Sequence, residues 1–204
     1  MTTKQNIEKA LWSACDSFRG KIDSSRYKDY ILSMLFVKYL SDVYKETREK
    51  YEKQYKGDKQ RVERAMNRER FVMDENSTFE YLYNNRNDKE IGQKINVGLA
   101  AIENNNSAKL HDVFRAIDFN STVDFGEPKE KNAILKNLLE DFKDLDLRPS
   151  QLDSADIIGD AYEYMIANPA VYSSYGYGNY KMEALRDAFE GTDLEFHTTV
   201  LTVG

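Results

Sequence analysis

The sequence predicts an all-α, irregular multi-helix domain of six or seven helices, followed by a short C-terminal tail to which no fold is assigned. Apolar residues recur every three or four positions over most of the first 167 residues, the period of helices that bury one face. No alternation of apolar and polar residues before residue 170 is long enough to predict a sheet. Only three prolines and ten glycines interrupt the 204 residues.

The first predicted helix spans residues 3–19. Thr2 or Thr3 can cap its first amides, and Gly20 suits the left-handed residue that follows many helices. The apolar positions that share one face are Ile7, Leu11, Ala14 and Phe18.

The second predicted helix is longer, from residue 27 to about residue 56, with Ser24 and Ser25 as possible caps and Gly57 as its end. Residues 30–40 are apolar nearly all round, which predicts a place in the middle of the core. The half from Asp42 onward is charged. We therefore expect this helix to project beyond the body of the domain.

Residues 59–70 are basic and lack a clear apolar face, so they are predicted as a partly helical surface segment. Shorter helices are predicted over residues 78–84, 91–104, 131–143 and 154–167. After residue 167 the chain becomes rich in Tyr, Gly and Ser. We therefore predict a helical domain over 1–167 and a divergent tail over 168–204, for which a change of reading frame and disorder both stay open.

Composition excludes several classes of protein. Cys15 is the single cysteine, so the chain has no internal disulfide framework and no cysteine-based zinc site. His111 and His197 lie far apart in sequence, which gives no histidine cluster for a metal. The start lacks the apolar stretch of a signal peptide, and no apolar run approaches the roughly 20 residues of a membrane span. We expect a cytoplasmic protein that binds no membrane.

The net charge of −6 conceals an asymmetry along the chain. Residues 1–70 carry 17 Lys and Arg against 11 Asp and Glu, whereas the remainder carries 12 against 24. A basic segment joined to an acidic one indicates a polyanion as a candidate partner. The negative total is therefore no argument against nucleic acid.

Four blocks of sequence carry a resemblance to a known family. In chain order they are Gly20-Lys21-Ile22-Asp23 with Tyr27-Lys28-Asp29-Tyr30-Ile31-Leu32 and Leu35-Phe36-Val37-Lys38-Tyr39-Leu40-Ser41-Asp42; Ile91-Gly92-Gln93-Lys94-Ile95-Asn96; Val113-Phe114 with Ile117-Asp118-Phe119-Asn120; and Asp156-Ile157-Ile158-Gly159-Asp160-Ala161-Tyr162-Glu163-Tyr164. Residues 1 to about 167 thereby resemble the N-terminal helical domain of the modification subunit of type I restriction–modification systems.

The resemblance implies a parent enzyme that methylates adenine N6 in DNA with S-adenosylmethionine. It implies as partners DNA, a specificity subunit, a second modification subunit and a restriction subunit. The N-terminal helical domain of that family helps to enclose the DNA and to stabilise the assembly. The alternative function is a helical docking module that binds the specificity subunit without contacting DNA.

The sequence departs from the family after residue 167. The family continues with a Glu-Phe-Tyr-Thr-Pro-like motif, a Gly-rich cofactor turn and an Asn-Pro-Pro-aromatic catalytic loop, and these 204 residues contain none of them. In Asn168-Pro169-Ala170-Val171, alanine and valine replace the second proline and the aromatic residue, so we interpret it as a helix-ending turn. Gly176-Tyr177-Gly178 is interpreted as loop. The fragment is predicted to be truncated before the catalytic domain, to hold no catalytic residue, cofactor or metal, and to be inactive alone.

The candidate DNA-binding residues are cations in and around the basic segment: Lys53, Lys56, Lys59, Arg61, Arg64, Arg68 and Arg70. Cations that reach phosphates position a protein on DNA without reading bases. A solvated surface stays open as the alternative, because five acids are interleaved, namely Glu46, Glu49, Glu52, Glu63 and Glu69. By helical spacing, core packing is favoured over base stacking for Tyr27, Tyr30, Phe36, Tyr39 and Tyr44. Cys15 is predicted to be a packed residue and His111 a surface histidine.

Overall fold

The computed structural model describes residues 1–22, 24–153, 159, 161, 164 and 165. These residues form eight α-helices and two 3₁₀ turns, at Glu75–Ser77 and Pro149–Gln151, and they contain no β-strand. The predicted all-α class is confirmed, and the helices beyond the expected number are single turns of four residues. The helices are α1 (Lys4–Phe18), α2 (Ser24–Gln54), α3 (Lys59–Met66), α4 (Phe79–Asn84), α5 (Ile91–Asn105), α6 (Ser107–Leu110), α7 (Thr122–Phe125) and α8 (Pro128–Phe142).

The core forms around the apolar half of α2, with α1 and α8 packed on it. Thr3 caps α1 by accepting a hydrogen bond from the amide of Asn6, and Gly20 ends it with φ +75°. Both ends were predicted from sequence. The predicted inner face of α1 is buried, as are residues 30–37 of α2.

Polar residues of α2 are also part of the core. The Lys38 ammonium contacts both carboxylate oxygens of Asp42, at 2.7 and 2.5 Å. The second of these oxygens accepts the amide of Leu147 at 2.7 Å, and Ser41 accepts the amide of Phe79 at 2.7 Å. Ser41 and Asp42, at the end of the first sequence block, therefore tie α2 to the segments that contain Phe79 and Leu147.

The second and third sequence blocks contact each other. The Asn96 side chain accepts the amide of Phe119 at 2.9 Å and donates to the Asp118 carboxylate at 2.7 Å. Gly92 lies so close to this loop that an added Cβ would stand 2.5 Å from the carbonyl oxygen of Phe119. These contacts hold α5 against the loop before α7.

The start of the chain is tied to the segment after α8. An isolated parallel bridge pairs Thr2 with Leu152. The Thr2 amide donates to the Gln151 carbonyl at 2.7 Å, its hydroxyl donates to the Asp146 carbonyl at 2.7 Å, and its carbonyl accepts the amide of Asp153 at 3.3 Å. The two ends of the described helical body therefore meet.

Some helix boundaries differ from the sequence prediction. α2 begins at Ser24, which was predicted as a possible cap, and it ends at Gln54 rather than about residue 56. α8 begins at Pro128 rather than residue 131, because proline has no amide hydrogen and suits the first helical position. The segment 59–70 contains the helix α3 over Lys59–Met66, which confirms the prediction that it is partly helical. The helix predicted over 154–167 falls mostly outside the described residues, and the tail 168–204 falls wholly outside them. The boundary at residue 167 stays a prediction.

Candidate nucleic-acid interface

The end of α2, the turn after it and α3 form a helical hairpin, which we call the basic hairpin (residues 48–70). The turn is made by Lys56 and Gly57, with φ +52° and +78°. The Gly57 amide donates to the Glu52 carbonyl at 2.9 Å, which closes α2 where glycine predicted its end. Asp58 then starts α3 by accepting the amide of Arg61 at 3.2 Å.

α3 packs chiefly on α2 through Val62 and Met66, which are one turn apart and buried. Met66 lines a small groove together with Tyr44 and Thr47 of α2. The expectation that this segment lacks a clear apolar face was therefore wrong. Two apolar side chains in eight residues are enough because a long neighbouring helix supplies the rest of the contact.

Arg48 ties the two helices of the hairpin together. Its guanidinium contacts the Glu63 carboxylate of α3 at 2.5 Å and that of Glu52 at 3.4 Å, and it donates to the Tyr44 hydroxyl at 2.7 Å. These contacts turn Glu63 toward α2. Arg48 was not among the candidates from sequence, although Tyr44 and Glu52, four residues to either side, are a signal for such a network.

Tyr51 of α2 likewise contacts Glu69, the second acidic residue between residues 59 and 70. Its hydroxyl donates to the carboxylate of Glu69, and this bond raises the pKa of Tyr51. Both acids between residues 59 and 70 are thus engaged by side chains of α2. Of the five acids that favoured a neutral solvated surface in the sequence, Glu63 and Glu69 are thus paired with side chains of α2.

Six of the seven predicted cations are exposed on the outside of the hairpin. We call this set the basic face; it consists of Lys53, Lys56, Lys59, Arg61, Arg64 and Arg68. Within the described part of the chain, Arg61 alone of the six forms an ion pair, with Asp58 at 3.4 Å. That pair is 69% and 47% exposed, and such pairs contribute about 0–1 kcal/mol, so Arg61 can exchange Asp58 for another anion.

Arg70, the seventh predicted cation, is placed differently. It is half-buried, and its guanidinium lies 5.7 Å from the centre of the Phe71 ring. Its backbone carbonyl accepts a hydrogen bond from the Lys109 ammonium at 2.6 Å. Arg70 is thus half-buried beside Phe71, whereas the six residues of the basic face are exposed.

The aromatic residues of α2 lie in the core, as their spacing predicted. Tyr27, Tyr30, Phe36 and Tyr39 are buried, and Tyr44 is half-buried at the rim with its hydroxyl on Arg48. His111 is a surface histidine, with a side chain 79% exposed and 3.4 Å from Asp112. These positions confirm the predictions made for them.

Cys15 is buried in α1 and lies 3.9 Å from the sulfur of Met165. Burial raises the pKa of its thiol to about 11. We expect iodoacetamide to alkylate Cys15 in the folded chain at pH about 8 on the order of 100-fold more slowly than in urea, because the thiolate is scarce and shielded. Equal rates in a mass-spectrometric time course would contradict a packed Cys15.

The described residues form no strand-and-turn element of the kind that holds S-adenosylmethionine. Amino-methyltransferases hold this cofactor at a Gly-rich turn that follows a strand at a sheet edge. Apart from the bridge between Thr2 and Leu152, strand pairing is absent from the described ranges. No group of three or more potential metal ligands occurs among them, and none of their helices is long and apolar enough to cross a membrane.

The described residues form an all-α domain that carries the basic hairpin. The HsdM N-terminal domain family matches residues 7–142, and the chain belongs to this family. This confirms the resemblance to type I modification subunits that the four sequence blocks indicated. No curated protein matches the chain.

A solved structure has the same fold. It is the crystal structure of the type I restriction-modification system methyltransferase subunit from Streptococcus thermophilus, with a TM-score of 0.62 and 24% sequence identity. The match covers 81% of this chain and 38% of that subunit. The chain therefore spans well under half the length of the methyltransferase subunit that it resembles.

Proposed function

We propose that this domain binds the phosphate backbone of duplex DNA through the basic face, as the N-terminal domain of a type I modification subunit. The observation that carries the proposal is the separation of charge on the hairpin. Six cations are exposed on its outside, while Glu63 and Glu69 are engaged by Arg48 and Tyr51 of α2. A surface of this kind attracts a polyanion although the whole chain is negative.

The proposed contact positions the DNA and does not read its sequence. Arg61 and Arg64 are about one helical turn apart on α3, and Arg68 follows in the turn after it. Long side chains on one outer face can reach successive phosphates, which carry no sequence information. We therefore propose that a specificity subunit reads the site, and that this domain helps to clamp the DNA.

Family membership supports the rest of the proposed setting. The parent subunit is proposed to methylate adenine N6 with S-adenosylmethionine bound by a later domain. Its proposed partners are the specificity subunit, a second modification subunit and a restriction subunit. The chain of 204 residues is proposed to supply binding and assembly rather than chemistry.

Charge reversal tests the DNA contact. In Arg61→Glu/Arg64→Glu/Arg68→Glu, the affinity for a duplex of random sequence should fall on the order of 100-fold at low salt. The slope of log K against log salt should flatten by about 2.7, because three phosphate contacts are lost. Fluorescence anisotropy of a labelled duplex over a salt series measures both quantities.

The matched control reverses three exposed cations away from the hairpin, in Arg115→Glu/Lys129→Glu/Lys136→Glu. It changes the net charge by the same amount and should leave the slope within error of the parent chain. The DNA proposal is wrong if the two triple variants behave alike, provided that circular dichroism shows both to be folded.

Docking of a partner chain without DNA contact is the second candidate, and one observation favours it. Trp12 of α1 is 40% exposed, and the Arg19 guanidinium lies 5.2 Å from the centre of its ring. Tryptophan and arginine are enriched at the centres of protein interfaces. Tight binding of a specificity subunit by a chain with no salt-sensitive DNA binding would favour this candidate.

A further inference from the structure

We infer that Arg48 is a positioning residue for DNA binding: by holding the Glu63 carboxylate against α2, it keeps that acid away from the cations of the basic face. The inference rests on the proposed function of the basic hairpin. Arg48 itself is half-buried, in contrast to the exposed cations. It is proposed to act through Glu63 and not by contacting DNA.

The geometry fixes the Arg48 side chain from several directions. Its Nη2 lies 2.5 Å from Glu63 and 4.0 Å from Glu75 of the first 3₁₀ turn, and its Nε lies 3.4 Å from Glu52. Its Nη1 donates to the Tyr44 hydroxyl at 2.7 Å. Because several nitrogens of the guanidinium have partners, its orientation toward the Glu63 carboxylate is fixed.

Glu63 has another cation within reach on its own helix. Lys59 precedes it by four residues, and side chains four apart on a helix are neighbours. These two described residues form no ion pair with each other, because the Glu63 carboxylate is turned to Arg48. A Glu63 released from Arg48 would neutralise Lys59 and place a negative charge at the surface that the phosphates approach.

Tyr51 repeats the arrangement at the other end of α3. It donates to Glu69, which is adjacent in sequence to Arg68 of the basic face. One α2 side chain thus faces each acid of the 59–70 segment. The charges on the hairpin are separated by two contacts between its helices, Arg48 with Glu63 and Tyr51 with Glu69. The order of residues along the chain does not show this separation.

Four variants of the full chain test the inference by anisotropy with a labelled duplex. Arg48→Met should weaken DNA binding by about threefold to tenfold, since one unpaired acid is added near the phosphates. Arg48→Met/Glu63→Gln should restore the affinity. Glu63→Gln alone should bind as tightly as the parent or more tightly. Arg86→Met, which likewise breaks an arginine pair, with Glu140 at 2.6 Å, is the matched control and should bind normally.

The double variant separates positioning from contact. If Arg48 acts through Glu63, Arg48→Met/Glu63→Gln regains both the affinity and the salt slope of the parent, whereas loss of a direct phosphate contact by Arg48 would leave the slope of the double variant flatter by about 0.9. A slope that stays flattened in the folded double variant, or failure of Glu63→Gln to restore its affinity, would overturn the inference. Weakened binding by Glu63→Gln alone would also overturn it, and this variant keeps Arg48 in place should Arg48→Met fail to fold.

The two proposals fail in different ways. If DNA binding itself is wrong, the triple reversal of Arg61, Arg64 and Arg68 leaves affinity and slope unchanged. If only the role of Arg48 is wrong, that triple reversal has its full effect while the Arg48 and Glu63 variants do not show the expected rescue.

Discussion

Lys38→Met is expected to lower the free energy of unfolding by about 3–5 kcal/mol, because it leaves a buried carboxylate without its cation. The Lys38 and Asp42 side chains are 8% and 13% exposed, and the ammonium contacts both carboxylate oxygens. Burial raises the pKa of Asp42, and Lys38 opposes that shift. Urea denaturation of the purified chain measures the loss.

The loss should depend on pH with a definite sign. Without Lys38, the pKa of Asp42 in the folded chain rises further above its unfolded value. A carboxyl with a raised folded pKa favours the folded state at low pH, and this support is lost as the pH rises through that pKa. The loss in free energy of unfolding caused by Lys38→Met should therefore grow from pH about 4 to pH about 7.

A surface pair provides the control for this prediction. Arg115 pairs with Asp112 at 3.2 Å, but the two side chains are 76% and 47% exposed. Arg115→Met should cost at most about 1 kcal/mol. The double variant Lys38→Met/Asp42→Asn should be more stable than Lys38→Met, since the amide oxygen of the new asparagine still accepts the Leu147 amide. Equal losses of unfolding free energy in Lys38→Met and Arg115→Met would contradict a stabilising role for the buried Lys38–Asp42 pair.

Gly92→Ala is expected to destabilise the chain by about 3 kcal/mol, even though alanine favours helix. The new Cβ would stand 2.5 Å from the carbonyl oxygen of Phe119 and 3.1 Å from its carbonyl carbon. This backbone cannot retreat easily, because Asn96 holds it by accepting the Phe119 amide and by bonding to Asp118. Thermal and urea unfolding both measure the effect.

Gly98 is the matched control on the same helix. A Cβ there would lie 3.6 Å from Ser77, an ordinary contact, so Gly98→Ala should be neutral or stabilise by about 0.5–1 kcal/mol. Opposite signs at positions 92 and 98 are the expected result. Equal effects would mean that the close approach of α5 to the loop at Phe119 is not what requires glycine.

Much of the fold follows from sequence because its helices are amphipathic over several turns. The stripe of Ile7, Leu11 and Phe18 and the caps at Thr3 and Gly20 predict α1 almost to the residue. Residues 30–40 are apolar nearly all round, and this predicts the central place of α2. In these elements local propensity and burial agree, so the pattern alone is sufficient.

Elements stabilised by distant contacts were not predictable in the same way. α3 has two buried residues and gains its apolar contact from α2, so its periodicity is too short to recognise. The proposed DNA interface also depends on a contact between residues that are distant in sequence. The sequence predicts the cations of the basic face, but Arg48 becomes relevant only when Glu63, 15 residues away, is brought beside it.

One helix serves both the core and the proposed interface. α2 carries the Lys38–Asp42 tie in its buried half and Arg48 and Tyr51 in its exposed half. A rigid helix transmits the orientation set by the core to the hairpin at its end. Core variants such as Lys38→Met are therefore best compared with the hairpin variants under conditions where both are fully folded.

The bridge between Thr2 and Leu152 has the geometry that resists tension between the two segments that it joins. Because the bridge is parallel, the chain before Thr2 and the chain after Leu152 leave from opposite ends of it. Tension applied between these two segments would load the hydrogen bonds of Thr2 to Gln151, Asp146 and Asp153 in shear, together rather than one after another. When the chain beyond residue 152 is pulled, these hydrogen bonds would therefore carry the force before the helices do.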